Sequence, residues 1–464
     1  MISEKQIRDK LYDEFIKPTN IEKNFIGVEI EIPIINLDKK AVDFNVVHEI
    51  TNKFKKEFDD FRNDGIDYDG NAYSLKNEKN DDIVCYDCSY NNIEFAMGRE
   101  KDLFSINDRF KEYYTFTKEC FEEHNHTLTG MGINPYRKYN KHVPIPSERY
   151  LMLYNHLKST DKYKNKLFHD YPEYGMFSSA SQVQLDVSKE NLVKTINVFS
   201  KIEPIKALLF SNSVLIDENN EFTCFRDVLW EYSTHGVNPH NIGMYDVELT
   251  DINSLQSYLE SLNMYCVVRD GSYINFQSMN LLEYFNQETI TGEKYCNGNY
   301  RKVCIKPEID DIKYLRPFKF INLTFRGTVE FRSVCTQPIS ESMSVAAFHL
   351  GLKDNLDELD EIITEDSSLY YKGYTAGELR KLLIHSKIPQ FIDKNEVCRL
   401  TKKIVDLASA GLKERGLGEE IFLNPLYDRI KKQSNPAKEM INLLNDNNNL
   451  EEIIEDYGNI KGEN

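Results

Sequence analysis

The sequence has few cysteines, a single tryptophan and no long apolar run. Nine cysteines scattered among 464 residues are typical of reduced thiols rather than of a disulfide framework. No run of about 18 apolar residues indicates a membrane span, and the polar N-terminus has no signal-peptide core. The net charge of -18 comes without the clustered Lys and Arg that nucleic-acid binding requires. These absences predict a cytoplasmic protein with neither a nucleic-acid nor a membrane partner.

Several catalytic and cofactor motifs are also missing. The chain has no GxxxxGK[ST] or GxGxxG loop and no Ser-His-Asp order, which argues against P-loop, dinucleotide-binding and serine-hydrolase functions. Cys85 and Cys88 have zinc-ligand spacing, but no second Cys or His pair follows closely, so incidental thiols are favoured. The stretch with Asp67 and Asp69 fails the EF-hand spacing and is predicted to be a hairpin or loop bordering the site.

Four short segments, by contrast, share one alternating design, with apolar residues at every second position and carboxylates, amides or arginines between them. They lie at 28–32, 93–95, 181–187 and 328–332. Because side chains alternate across a strand, Glu29 and Glu31 point the same way, roughly 7 Å apart. Such carboxylates repel unless something positive lies between them, and divalent metal ions with a phosphorylated nucleotide are the obvious candidates. The segments therefore predict strands with one apolar face and one chemical face.

The rest of the chain reads as helices and further strands. A helix in 1–24 precedes the strand at 25–35, and further helices are expected at 45–58, 102–123, 147–160, 189–201 and 203–213. Strands at 84–87 and 92–97 form a hairpin that brings Asp87 near Glu94.

After Arg332 the pattern becomes helical, with a capping box at Thr375 to Glu378, and the last 20 residues are expected to fray. The sequence has no internal repeat and no long linker. We therefore predict an α+β fold in one domain, with a catalytic portion at 1–340 and a helical C-terminal portion at 341–464 packed on it.

Seven motifs occur in an order that carries a resemblance. They are GVEIEIP, MGINP, ERYLMLYNHL, SASQVQLDVS, LLFSNS, FRDVLW and TVEFRSVCTQP. Together, over residues 25 to 340, they resemble the glutamate–cysteine ligase superfamily, and most closely its plant-type and related bacterial branch. The resemblance implies a glutamine synthetase-like fold, in which a curved antiparallel sheet has a concave active-site face and the helices lie outside.

The resemblance also implies a reaction and a set of site residues. ATP activates the γ-carboxylate of glutamate as γ-glutamyl phosphate, and the amino group of cysteine then forms the amide. Arg226 matches an arginine expected at the glutamate α-carboxylate, and Arg332 matches one expected at the transferring phosphate, where Gln182 also lies near the nucleotide. The positions that match the family's metal-binding residues are Glu29, Glu31, Asp87, Glu94 and Glu330, together with Gln182, where members have histidine or glutamine.

The residues support this chemistry without the family name. Phosphoryl transfer needs positioning and charge neutralisation, which metals on the phosphate oxygens and an arginine supply. Five carboxylates suit two or three Mg²⁺ ions, with Mn²⁺ as an alternative, because Mg²⁺ keeps water and substrate phosphate among its ligands. Arg332 follows Glu330 by two residues and therefore lies on the same strand face.

Each of these residues also has a structural interpretation. An alternating acidic strand is often a solvated sheet face, Asp87 suits a turn and Glu94 an exposed edge. Gln182 suits a hydrogen bond to a neighbouring strand, and Arg226 suits an ion pair with Asp227. Trp230 is expected in the core or the cleft wall. His235 and His240, in a loop with Gly, Pro and Asn, are predicted to be surface groups.

Three functions from different classes remain open. The first is glutamate–cysteine ligation, whose nearest variant uses another amine acceptor because Ser333 to Pro338 depart from the plant pattern. The second is a metal-dependent phosphoesterase, although these strands supply no histidine ligand. The third is a non-catalytic binding protein of the same fold. The sequence does not indicate an oligomeric state.

Overall fold

A computed structural model of the protein describes residues 2–20, 24–218, 221–446 and 448–460. It combines antiparallel sheets with helices. The strands are β1 (Ile26–Asn36), β2 (Phe61–Ile66), β3 (Ala72–Asn77), β4 (Ile83–Tyr86), β5 (Asn92–Glu100), β6 (His126–Leu128), β7 (Ser181–Asp186), β8 (Ile242–Gly243), β9 (Asn263–Arg269), β10 (Ser272–Asn280), β11 (Ile290–Cys296), β12 (Asn299–Ile305), β13 (Phe318–Lys319), β14 (Ile321–Leu323) and β15 (Thr328–Phe331).

Sixteen α-helices lie within the described residues, joined by loops and short 3₁₀ turns. They are α1 (Glu4–Leu11), α2 (Phe44–Glu57), α3 (Leu103–Glu122), α4 (Glu148–Lys158), α5 (Lys189–Lys201), α6 (Glu203–Phe210), α7 (Phe225–Glu231), α8 (Ile252–Glu260), α9 (Leu281–Asn286), α10 (Met343–Lys353), α11 (Leu356–Thr364), α12 (Ala376–Leu383), α13 (Lys394–Arg415), α14 (Asn424–Lys432), α15 (Pro436–Asn445) and α16 (Leu450–Gly458). None of these described helices is both long enough and apolar enough to cross a membrane.

The large sheet contains nine strands in the order β14-β15-β7-β1-β5-β4-β3-β2, with β6 paired to one end of β1. All of its pairings are antiparallel. The four alternating segments of the sequence form β15, β7, β1 and β5, which are direct neighbours in the middle of this sheet. Segments far apart in sequence therefore place their polar positions on one continuous face.

The opposite face of the sheet packs against helices, as the alternation requires. Val28, Ile30 and Ile32 of β1 are fully buried there. Helix α3 covers part of this face, with Phe110 in edge-on contact with Phe95 of β5, at 5.6 Å between ring centroids. Such pairs add stability beyond their buried area, so the apolar face anchors the sheet that presents the polar one.

A second sheet, in the order β12-β11-β10-β9, packs beside α4. On α4, the Asn155 amide donates to Asn275 Oδ1 of β10 (2.9 Å) and to Glu293 Oε2 of β11 (3.1 Å). Partly buried hydrogen bonds of this kind hold the helix against the sheet, because an amide left unpaired there would be costly. The second sheet therefore holds α4 in place, and α4 carries residues that face the polar surface of the large sheet.

Most helices and strands lie where the sequence predicts them, including the hairpin of β4 and β5 and the box in which the Thr375 hydroxyl accepts from the Glu378 amide. Two predictions are wrong. The helix expected in 1–24 ends at Leu11 and continues as a π turn and a 3₁₀ turn, with 21–23 outside the described residues. The fraying expected for the last 20 residues does not apply to α16, whose Ile454 and Tyr457 are buried.

Candidate active site

The polar face of the large sheet gathers the acidic residues singled out in the sequence. Across β1 and β5, Glu31 lies opposite Glu94. Across β1 and β7, Glu29 lies opposite Gln182. Across β7 and β15, Glu330 lies opposite Gln184. Strand register alone therefore brings four carboxylates from three strands onto one patch of the sheet.

Two glutamines of β7 hold three of these carboxylates. The Gln182 amide donates to Glu31 Oε1 (2.9 Å), and the Gln184 amide donates to both Glu29 Oε1 (2.8 Å) and Glu330 Oε1 (2.9 Å). The backbone N–H of Ala180 donates to the other oxygen of Glu31 (2.7 Å). The hydrogen bond expected from Gln182 to a neighbouring strand is thus present, and its role as a ligand stays a prediction.

The carboxylates raise each other's pKa. Burial and then the charge of Glu330 raise the pKa of Glu29 to about 7. Burial and then the charge of Asp87 raise the pKa of Glu31 to about 8. Burial, followed by Glu29, Asp87 and Glu31, raises the pKa of Glu94 well above its ordinary value. Acids that disfavour each other's charge in this way form a site that a cation would stabilise.

Asp87 and Arg149 border the same patch. Asp87 follows β4 directly, and its charge acts on both Glu31 and Glu94, as the predicted hairpin requires. Arg149 lies on α4 with its side chain exposed, and its charge opposes the rise in the pKa of Glu94. The structure therefore brings Asp87 to the acidic patch and adds a positive group that the sequence did not reveal.

Arg332 reaches the patch from the end of β15. Its Nε donates to Gln182 Oε1 (2.9 Å) and lies 3.3 Å from Glu330 Oε2. Its guanidinium also lies over the rings of Trp230 and Phe318, at 5.6 Å from each centroid. A guanidinium held between aromatic faces and carboxylates is well placed to meet a phosphate with its planar donors.

Arg226 lies deeper, on α7, and is 5% exposed. Its Nη1 donates to the Val334 carbonyl (3.2 Å), and its guanidinium lies 5.3 Å from the centre of the Trp230 ring. The ion pair with Asp227 that the sequence suggested is absent, because Asp227 pairs with Arg380 (2.7 Å). Among the described residues, no carboxylate pairs with Arg226. Trp230 forms part of the cleft wall between the two arginines, as expected.

His235 is buried, which contradicts its prediction as a surface group. Its ring stacks on Phe318 at 3.7 Å between centroids, and it lies 5.2 Å from the ring of His156. Burial lowers the pKa of His235 well below its ordinary value. His240 is partly exposed and hydrogen-bonds Ser261 Oγ (2.7 Å).

A buried cysteine pair lies beside Arg226. Cys335 Sγ is 3.6 Å from Cys224 Sγ and 3.3 Å from Ser213 Oγ. Burial alone would raise the pKa of Cys335. The Cys224 thiol, the Arg226 guanidinium and the Ser213 hydroxyl outweigh burial and lower this pKa to about 6. The charge of the buried Arg226 guanidinium therefore acts directly on the Cys335 thiol.

The donor set fits hard divalent cations. Within the described residues, no three His, Cys, Asp or Glu side chains form a ready-made metal-binding group. The acidic patch offers carboxylate and amide oxygens, which are ligands that Mg²⁺ prefers. Mg²⁺ takes few ligands from the protein, so one or two of these carboxylates for each ion suffice.

Sequence reasoning missed three residues of the site. Gln184 follows Gln182 by two residues, so alternation alone indicates that it shares the face. Arg149 lies on a helix of unremarkable pattern, and only the packing of α4 beside the sheet brings it to the patch. The pKa of Cys335 is lowered by Cys224, Arg226 and Ser213, which come from distant parts of the sequence. No local sequence pattern could have indicated these contacts.

Solved structures share this fold. The crystal structure of a glutamate–cysteine ligase from Francisella tularensis in complex with AMP matches 95% of this chain and 88% of that chain, with a TM-score of 0.50 and 12% identity. At this identity the match shows the fold alone, a mixed arrangement of helices and antiparallel sheet.

Family membership follows from the sequence comparison. A sequence model of glutamate-cysteine ligase family 2 matches residues 26–457, which is most of the chain, and the chain belongs to that family. The chloroplastic glutamate–cysteine ligase of Solanum lycopersicum is 22% identical over 336 residues, covering 70% of this chain and 59% of the relative. That of Nicotiana tabacum is 22% identical over 339 residues, with the same coverage. The chain thus spans about 59% of the length of these relatives.

Proposed function

We propose that the protein is an ATP-dependent ligase that joins the γ-carboxylate of L-glutamate to the amino group of L-cysteine, the first step of glutathione synthesis. Its place in the family supports the reaction class. One observation about the site carries the proposal: an acidic patch that suits divalent cations lies beside two arginines, of which Arg226 has no carboxylate partner among the described residues and Arg332 lies 3.3 Å from Glu330 at the edge of the patch. Its proposed partners are the small molecules ATP, glutamate and cysteine.

Six residues would hold two or three Mg²⁺ ions, or Mn²⁺ in their place, and the bound ions would neutralise the phosphate oxygens of ATP. These residues are Glu29, Glu31, Asp87, Glu94, Gln182 and Glu330. The raised pKa values of Glu29 and Glu31 support this assignment, because bound cations would favour their charged forms. Arg149 adds positive charge at the edge of the same patch.

The two arginines take different substrate groups. Arg226, buried and without a carboxylate partner among the described residues, binds the α-carboxylate of glutamate and directs its γ-carboxylate toward ATP. Arg332, held by Gln182 and by the aromatic rings around it, meets the transferring phosphoryl group together with the Gln182 amide. Rigid guanidinium donors aimed at developing charge lower the barrier without reorganisation during the reaction.

The proposed reaction has two steps, phosphorylation of glutamate and formation of the amide. A γ-carboxylate oxygen of glutamate bonds to the γ-phosphorus of ATP, and ADP leaves with the electrons of the broken P–O bond. The cysteine nitrogen next attacks the γ-carbonyl carbon, phosphate leaves, and the nitrogen gives up a proton as the amide forms. A related ligase with another amine acceptor would share the first step and differ only in the second.

The proposal extends to the fold and the location. We infer a glutamine synthetase-like arrangement, with the acidic patch on the concave side of a curved sheet and helices outside. We also infer one domain, in which 1–340 carries the chemistry and 341–464 packs on it. A cytoplasmic location suits nine cysteines that are all unpaired.

One assay tests the reaction. Purified protein is given ATP, Mg²⁺ and glutamate, and ADP release is followed as cysteine and other amines are added one at a time. We expect cysteine-dependent ADP formation that stops with a chelator and returns with Mg²⁺ or Mn²⁺. ADP formation only with a different amine would identify that amine as the acceptor in place of cysteine. Cleavage of simple phosphate esters without any amine would refute the proposal of a ligase.

Variants test the site. Arg332→Ala should lower kcat at least about 10³-fold, because arginines on transferring phosphoryl groups contribute on this scale. Glu330→Gln should abolish turnover, since it replaces a predicted metal ligand. Arg399→Ala and Glu396→Gln make the same chemical changes on the exposed face of α13 and should leave turnover unchanged. Normal activity in either site variant, with circular dichroism showing an intact fold, refutes the site assignment.

A further inference from the structure

A pocket in the helical C-terminal portion has no role in the proposed reaction. It is a groove lined by α6, α12, α13, α14 and the start of α15, and it is partly open to solvent. Its walls are mostly aliphatic, with Leu208, Leu383, Ile392, Val397 and Ile430 among the lining residues.

Two lysines line the same pocket without partners. The side-chain amino groups of Lys394 and Lys438 form no hydrogen bond or ion pair within the part of the chain that the structure describes. Lys394 is exposed, whereas Lys438 is half-buried, and burial followed by the charge of Lys394 lowers the pKa of Lys438. Two cations therefore line one apolar groove in a chain whose net charge is -18.

The nearest carboxylates in the sequence are used elsewhere. Asp393 caps α13 by accepting from the backbone N–H groups of Asn395 and Glu396. The Glu396 carboxylate pairs with Arg399, and Glu439 pairs with Lys432 at 3.2 Å. None of these three carboxylates thus neutralises the two lysines, and an unpaired charge beside an apolar wall is costly.

Helix dipoles add to the positive potential. Lys394 is the first residue of α13, and Lys438 lies in the first turn of α15, so the positive ends of both helices meet at the pocket. Each end carries roughly half an elementary charge and favours an anion nearby. Arg429, also in the wall, is already bound to the Leu209 carbonyl and Gln337, so it adds no free donor.

We propose that this pocket binds an aliphatic carboxylate, whose hydrocarbon tail lies against the leucine and isoleucine walls and whose head group lies between Lys394 and Lys438. The tail gains from leaving water, at about 0.8 kcal/mol for each buried methylene. The head group supplies the negative charge that Asp393, Glu396 and Glu439 do not provide. The site is separate from the acidic patch and does not depend on the proposed function.

The thiol of Cys398 provides a local reporter. It lines the pocket, and burial raises its pKa while Lys438 and Lys394 oppose that rise. The probe is octanoate, compared with 1-octanol, which has the tail without the charge, and acetate, which has the charge without the tail. Alkylation by iodoacetamide is followed at each cysteine by peptide mass spectrometry, with the exposed Cys304 as the internal control.

We expect octanoate to slow alkylation of Cys398 at least tenfold at saturation and to leave Cys304 unchanged. Octanol and acetate should require at least tenfold higher concentrations for the same protection. Lys438→Met and Lys394→Met should each weaken the binding of octanoate about tenfold or more, without changing the protection that octanol gives to Cys398. Calorimetric titration of the same ligands gives the affinities directly and needs neither ATP nor glutamate.

The matched control is Lys431→Met, which removes one positive charge from the exposed surface of α14 outside the pocket. If octanoate binding falls equally in this variant, the loss in the pocket variants results from overall charge alone, and the proposal is overturned. Equal protection by octanol and octanoate, or no protection of Cys398 by octanoate, would overturn it as well. Lys394 is exposed, so its variant folds even if the Lys438 variant does not.

Discussion

His156 shows how a single buried group makes stability depend on pH. Both of its ring nitrogens are buried and have no hydrogen-bond partner among the described residues, and its ring stacks on Tyr265 at 4.1 Å. Burial, with a smaller effect of Lys162, lowers the pKa of His156 to about 3. The unfolded chain, with an ordinary value near 6.5, binds a proton that the folded chain excludes.

The sign of the pH effect follows from this difference. The folded pKa is lower than the unfolded one, so stability is complete above about pH 6.5 and falls as the pH drops toward 3. His156→Phe, which retains a flat ring, should remove this dependence. The free energy of unfolding of the wild type should fall about 2 kcal/mol more than that of the variant between about pH 7 and pH 5.

Urea unfolding of both proteins at the two pH values measures this difference, and all shared carboxylates cancel in the comparison. His240→Phe provides the control, because His240 is partly exposed and already hydrogen-bonded. Parallel pH profiles of wild type and His156→Phe would show that His156 takes up a proton in the folded state and would contradict the prediction.

At the scale of residues, the sequence predicted side chains that follow a strand and missed those that depend on packing. Alternation placed Glu29, Glu31 and Glu330 on one face because the backbone alone decides direction in a strand. The prediction that His235 lies on the surface was wrong because Phe318, far along the chain, covers its ring. The partner of Asp227 could not be predicted, since α12 supplies Arg380 from a distant part of the sequence.

At the scale of elements, two glycines allow α10 and α13 to pack in close contact. A Cβ on Gly351 of α10 would collide with the Ala408 carbonyl of α13, and a Cβ on Gly411 would collide with the Gly351 carbonyl. Helices approach this closely only where side chains are absent at the crossing. Helix α10 is buried along its whole length, so this contact ties the C-terminal helices to the sheet that α10 also covers.

Gly351→Ala should therefore destabilise the protein by about 2 kcal/mol or more, because backbone atoms in a packed interface cannot move aside cheaply. Gly377→Ala is the matched control. A Cβ there meets only the Thr375 hydroxyl at 4.0 Å, and alanine is favoured over glycine in a helix by up to about 1 kcal/mol. The midpoint of urea unfolding should thus fall for Gly351→Ala and rise for Gly377→Ala. A Gly351→Ala variant as stable as the wild type would contradict the close contact.

Element positions were predictable where one face is apolar. The periodicity of α3 and the alternation of β1 each result from a single buried side, and both elements were predicted nearly to their ends. The first helix was harder, because the chain turns through π and 3₁₀ geometry after Leu11 without a proline or glycine until Pro18. Strand order in the large sheet joins distant segments, and no local pattern specifies it.

At the scale of the whole molecule, the C-terminal helix is bonded into the N-terminal half. The Tyr114 hydroxyl of α3 donates to the Gly458 carbonyl of α16 (2.6 Å), and the Thr129 hydroxyl donates to the Ile454 carbonyl (2.9 Å). The Gly130 N–H donates to the Tyr457 carbonyl (3.1 Å). Contacts that join the two ends of the chain support our inference that 1–340 and 341–464 form one cooperative unit.

The single tryptophan makes this inference testable. Trp230 lies in the portion 1–340, so its fluorescence reports unfolding of that portion, whereas far-ultraviolet circular dichroism reports all helices. Tyr457→Ala removes a buried ring from α16, 4% exposed, and should cost about 3 kcal/mol or more. In one cooperative unit, the fluorescence and dichroism midpoints in urea coincide and fall together. Glu455→Ala, exposed on the same helix, should move neither midpoint. A Trp230 midpoint that stays at its wild-type value while the dichroism midpoint falls would instead divide the chain into two independently folding parts.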